Sequence, residues 1–88
     1  MPNNDLARKL AVEFIGAFTL TFAGAGAIIA TQGQNLVAIA LAHGLAIGLM
    51  IQAAGHISGG HYNPAVTAGM WVTKRIDSTT AIGYVIAQ

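Results

Sequence analysis

The sequence predicts an all-α transmembrane fold: two membrane spans, a re-entrant half-helix, and the start of a third span. Charge placement is the first reason. Only 8% of the 88 residues are charged, against about 25% in soluble domains. Asp5, Arg8, Lys9 and Glu13 come early, and the next charged residue is Lys74. A soluble domain could not cover its surface that way. The second reason is a pair of apolar runs, Leu10 to Ala30 and Leu36 to Ala54, each near the ~20 residues that cross a bilayer as helix. The third is Asn63-Pro64, a strong helix start inside an uncharged, glycine-rich stretch.

Residues 1 to 9 read as a short polar cap. Arg8 and Lys9 then place the N-terminus in the cytoplasm by the positive-inside rule. Span one is about 10–30, interrupted only by Glu13. It is longer than the ~7–15-residue apolar core of a signal peptide and carries a carboxylate, so a cleaved leader is the weaker reading. Thr31 to Asn35 is an uncharged, external loop. Span two is about 36–54. Gly16, Gly24 and Gly26 mark the first span, and Gly44 and Gly48 form a Gly-xxx-Gly in the second. Small residues at such positions let helices approach closely in lipid.

Residues 55–74 form the re-entrant loop and half-helix. Gly55, Gly59 and Gly60 disfavour regular helix and allow close backbone approach. An extended segment is therefore expected to run into a helix capped by Asn63, with Pro64 at its first position. Lys74 and Arg75 suit its C-terminal end. Such a helix is about 15 Å long, half of a bilayer core of ~30 Å. Irregular backbone at membrane depth is tolerated only in protein or along a watery cavity. The stretch thus points to a pore or binding site. Lys74 and Arg75 return the chain to the cytoplasmic side, and Arg75 to Ser78 read as a turn and cap. The third span starts at about 78.

Ser58-Gly-Gly-His-Tyr-Asn-Pro-Ala-Val-Thr67 resembles the first Asn-Pro-Ala loop of the aquaporin and glycerol-facilitator family, the major intrinsic proteins. Gly55-His56-Ile57 and Ala11-Val-Glu-Phe-Ile-Gly16 are similar to the same family. The resemblance implies an inverted-repeat helical bundle of which this chain supplies the first half. A second half with another Asn-Pro-Ala motif would follow, so the chain reads as an N-terminal fragment of a longer protein. The resemblance also implies a multi-pass cell-membrane channel for water and small neutral solutes, assembled as a homotetramer.

Asn63 has two tasks in this reading. Its side-chain oxygen accepts from the N–H of Ala65 or Val66, leaving the NH2 as an outward donor to passing oxygen. The half-helix dipole adds about half a positive charge there, unfavourable to cations and protons. Pro64 and Ala65 complete the motif. Carbonyls of Gly59, Gly60 and His61, unable to pair in an extended segment, would be met by a file of water. Glu13, the one acid inside a span, is either a proton relay or an anchor; the resemblance favours an anchor that accepts loop N–H groups.

His43 lies 20 residues before Asn63. In the resembled family this position contributes to the outer constriction, commonly Phe in strict water channels and Trp in glycerol facilitators. A His there resembles plant vacuolar-membrane members, some of which pass ammonia or urea. A glycerol-type facilitator is the alternative, disfavoured by a polar group where an alkyl backbone packs. A truncated, non-conducting membrane fragment is another, and self-assembly of two opposed copies a third.

Other chemistries find little support. No metal site is expected: His56 and His61 lack further ligands at usual spacings. Ser58 and His61 have no evident orienting acid, so no enzyme is expected. There is no cysteine, hence no disulfide or thiolate chemistry, no basic patch for nucleic acid, and no implied cofactor.

Overall fold

The computed structural model describes residues 3–88, all of its regular structure helical. Helix α1 runs Asn3–Thr31, α2 Leu36–Ser58, α3 Pro64–Val72 and α4 Ser78–Ala87. Long α1 packs against α2 and α4, and short α3 packs on α4. Both α1 and α2 are long and apolar enough to cross a membrane.

Helix α1 begins seven residues before the expected start at 10, taking in most of the supposed polar cap. Asp5 lies in the first turn, where a carboxylate suits the helix dipole. Lys9 sits one turn on, its Nζ 3.5 Å from the Asp5 carboxylate, a helical i,i+4 pair. The charged segment thus joins the apolar helix rather than preceding it. At the other end Gln32 and Gly33 have φ of 55° and 71°, and the Gly33 N–H closes on Ile28 O at 2.9 Å.

Asn35 then caps α2, its Oδ1 accepting from Ala38 N at 3.0 Å. This helix passes the expected stop at Ala54 and runs through Gly55 to Ser58. A glycine inside a helix costs about 1 kcal/mol relative to alanine, less than carbonyls left unpaired in an apolar setting. The helix ends where the left-handed residues begin. Gly59 has φ 93° and donates its N–H to Gly55 O.

The irregular segment is therefore only 59–63, and it is not extended throughout. Gly59, Gly60 and Tyr62 have φ of 93°, 70° and 54°. Helix α3 starts as expected, with Asn63 in β conformation as cap and Pro64 first. Left-handed Lys74, φ 63°, and an Arg75 N–H bond to Met70 O at 2.8 Å close it. Asp77 caps α4: its carboxylate accepts from Thr80 N at 3.1 Å and from Thr80 Oγ1 at 2.7 Å.

Burial is inverted relative to a soluble domain. Phe22, Ile29, Leu36 and Ile86 are all more than 70% exposed. Fully buried side chains are instead Glu13, Thr67 and Tyr84, with Tyr62, His61 and Ser58 close behind. That is the arrangement expected when the surrounding solvent is hydrocarbon and polar groups turn inward.

The glycines on α1 receive side chains. A Cβ at Gly16 would overlap the Tyr62 ring, and one at Gly24 the His43 ring. Gly26, Gly44 and Gly48 meet nothing within 4 Å, so the expected Gly-xxx-Gly contact is not made by the described residues.

Candidate functional site

The loop is fastened to α1 by one carboxylate. Glu13 Oε2 accepts from Ser58 Oγ at 2.6 Å and from His61 N at 3.2 Å. Its Oε1 accepts from Tyr62 N at 2.8 Å and from Gln88 Nε2 at 2.5 Å. Hydrogens are presented to both oxygens, the pattern that suits a fully buried carboxylate. Two of the donors are loop N–H groups that no helix satisfies.

Tyr62 wedges the loop from the other side. It is 2% exposed, its ring lies over Gly16, and its hydroxyl donates to Met50 O of α2 at 2.9 Å. A left-handed non-glycine costs about 1–2 kcal/mol. Here both the backbone N–H and the hydroxyl of the strained residue are bound, which holds it there.

Beneath lies a polar chain. Gln88 Nε2 donates to Thr67 Oγ1 at 3.1 Å, and Thr67 Oγ1 lies 2.9 Å from His61 Nδ1. Thr67 Oγ1 thus accepts from the Gln88 amide and links it to the His61 ring. The Tyr84 hydroxyl donates to Ser58 O at 2.6 Å, and its ring meets the His61 ring edge-on at 5.0 Å. An acid thus lies beside Ser58, contrary to expectation. The His61 ring nitrogen is engaged by Thr67 and not by Ser58 or Glu13, so these groups do not form a nucleophile relay.

Above this anchor the loop presents its polar face. Asn63 Oδ1 turns in to accept from Ala65 N at 2.7 Å, which leaves the amide NH2 of an exposed side chain as the outward donor. Pro64 and Ala65 are exposed beside it. Among the described residues no donor reaches the carbonyls of Gly59, Gly60 or His61. A cavity of ≈ 650 Å³ opens at the loop's edge, lined in part by Lys9, Gly59, His61 and Arg75.

His43 is not part of this cluster. Its level on α1 is Gly24, eleven residues beyond Glu13, or about 16 Å along the helix. Its Nδ1 donates to Ile39 O at 2.8 Å. His56 is exposed on α2. No group of three or more His, Cys, Asp or Glu side chains converges among the described residues.

The match to known proteins reaches well beyond the loop, half-helix and anchor. The family described as "Major intrinsic protein" matches residues 1–88. The chain belongs to that family.

Three relatives show the spread of major intrinsic proteins that it is similar to. "Glycerol uptake facilitator protein-like 6" of Lactiplantibacillus plantarum is 51% identical, over 92% of this chain and 37% of that protein. "Aquaporin Z" of Photorhabdus laumondii is 44% identical, over 94% of the chain and 38% of that protein. "Aquaporin NIP3-1" of Arabidopsis thaliana is 42% identical, over 96% and 27%. The chain spans less than half the length of these relatives. No solved structure matches it.

Sequence reasoning on this major intrinsic protein missed the parts of Thr67, Tyr62, Tyr84 and Gln88. Thr67 and Tyr62 lie within the motif, but nothing local marks one as a relay and the other as a wedge. Gln88 is 75 residues from Glu13, too far for any local signal to link them.

Proposed function

We propose that the chain is the first half of a passive transmembrane water channel that also passes small neutral solutes such as ammonia or urea. In this reading a second Asn-Pro-Ala half completes the pore, and the complete protein assembles as a homotetramer in the cell membrane. Arg8, Lys9, Lys74 and Arg75 put the N-terminus in the cytoplasm. Lys9 and Arg75 line one cavity, which supports a common side for both basic pairs.

One observation carries the reading. At the start of α3, the Asn63 NH2 points outward beside loop carbonyls that no described donor reaches. Water is the small molecule that satisfies both, offering oxygen to Asn63 and hydrogens to Gly59, Gly60 and His61. The α3 dipole puts positive potential at the same point and opposes cations. Glu13 holds the loop and does not enter the path. His43 forms the outer constriction, where its ring makes a more polar filter than an aromatic hydrocarbon would.

Asn63→Asp in the full-length gene product tests this. Aspartate remains a good cap and suits the dipole, so the half-helix persists. The donor is lost and an acid replaces it. Water flux in proteoliposomes is expected to fall severalfold, about the 0.5–1.5 kcal/mol of one hydrogen bond, and cation leak to rise. A well-folded variant that passes water normally and still excludes cations would reduce Asn63 to a cap.

A glycerol-type facilitator is the second reading, favoured by the 51% identity to a protein of that name. Glycerol permeation that matches or exceeds water permeation would select it.

A further inference from the structure

We propose that Gly24 sets the aperture at His43, as a positioning residue that has no contact of its own with the solute. This rests on the reading of His43 as the constriction residue. The imidazole is fixed at one end, where Nδ1 donates to Ile39 O at 2.8 Å. The carbonyl can only accept, so Nδ1 carries a ring hydrogen. The other end of the ring lies across the seam between α1 and α2, directly over Gly24. A Cβ built on Gly24 would overlap Nε2 and stand 2.6 Å from Cδ2 and 2.7 Å from Cε1. Three ring atoms would be inside van der Waals contact with one methyl group. Gly24 is buried under this ring, while His43 keeps its opposite side exposed.

A missing side chain on α1 therefore makes a seat for the ring. With the seat filled, the ring has two routes out. It pivots about the Nδ1 bond, or it breaks that bond and changes rotamer. Both carry the imidazole away from α1 to its exposed side, which in the proposed channel is the solute path. Gly24 thus governs how far His43 reaches into the constriction, and a methyl group there narrows it without altering any pore-lining residue. Gly26, on the same helix, meets nothing within 4 Å and makes the matched control.

The test measures the ratio of urea to water permeability in proteoliposomes of the full-length gene product, a ratio independent of how many channels fold. Gly24→Ala is expected to lower the ratio about tenfold, the scale on which one methyl group discriminates, while Gly26→Ala leaves it unchanged. In a His43→Ala background, Gly24→Ala should have no further effect. An unchanged ratio in Gly24→Ala, beside a changed one in His43→Phe, overturns the inference and spares the constriction reading. Unchanged ratios in both variants overturn the constriction reading itself. An equal fall with and without the His43 ring shows that Gly24 acts through helix packing, which also overturns the inference. Should Gly24→Ala not fold, recovery of folded protein in the Gly24→Ala/His43→Ala pair supports the ring contact, and continued failure to fold refutes it.

Discussion

At the residue scale, Glu13 has the largest structural task per atom. It accepts from Ser58, His61, Tyr62 and Gln88. Glu13→Gln keeps one acceptor oxygen and puts an NH2 where donors already point. About two donors lose their partner, at roughly 1–3 kcal/mol each when buried. The complete channel should therefore unfold at lower temperature in detergent, with lower yield, while the surviving fraction conducts water. A variant as stable as the parent that had lost a measurable proton current would make Glu13 a relay. Its place as the one acid inside a span made Glu13 legible as a special residue. The identity of its donors was not, because they lie 45 to 75 residues away and include a strained tyrosine whose left-handed φ no local signal announces. Asn63 is the opposite case. Its cap is made within two residues, so the sequence alone specifies it.

At the element scale, boundaries written in capping chemistry were readable, and those set by tertiary satisfaction were not. Helix α3 begins where Asn63-Pro64 says it must, and α4 begins after Asp77. Helix α2 overran its expected end because four more residues of helix satisfy groups that a loop through Gly55 would strand. The Asp77 cap gives a pH prediction. Its carboxyl is held below the usual carboxylate range, first by the Thr80 hydroxyl and next by the Thr80 N–H. A lowered folded value means that the cap's contribution is present above the ordinary carboxylate pKa and is lost as pH falls through the depressed value. Asp77→Ala should lower the thermal midpoint at neutral pH, and its difference from the parent should shrink in acid through that window. Asp77→Asn keeps an acceptor and should flatten the parent's acid dependence. A midpoint difference between Asp77→Ala and the parent that stays constant down to strongly acid pH would show that the charge on Asp77 does not act through the cap.

At the scale of the whole molecule, the composition gave away the inverted exterior but not what it leaves open. Helices α1 and α2 are long enough to cross a bilayer. With nine and ten residues, α3 and α4 each reach about 15 Å, half of a hydrocarbon core of ~30 Å. In lipid, backbone groups without partners cost several kcal/mol each, and the carbonyls of Gly59, Gly60 and His61 find no donor among the described residues. Gly44 and Gly48 likewise face open space on α2. In the proposed channel these groups form one wall of the pore, and a conducting path needs a second surface opposite Asn63. The 88-residue chain reconstituted alone should therefore leave proteoliposomes shrinking osmotically at the lipid background rate. Joining it to a half that carries a second Asn-Pro-Ala motif should restore flux. A robust increase from the isolated chain at low protein density would mean instead that two copies meet in opposite orientations and supply each other's missing wall. The positive-inside signal opposes that arrangement, because Arg8, Lys9, Lys74 and Arg75 all favour one side of the membrane.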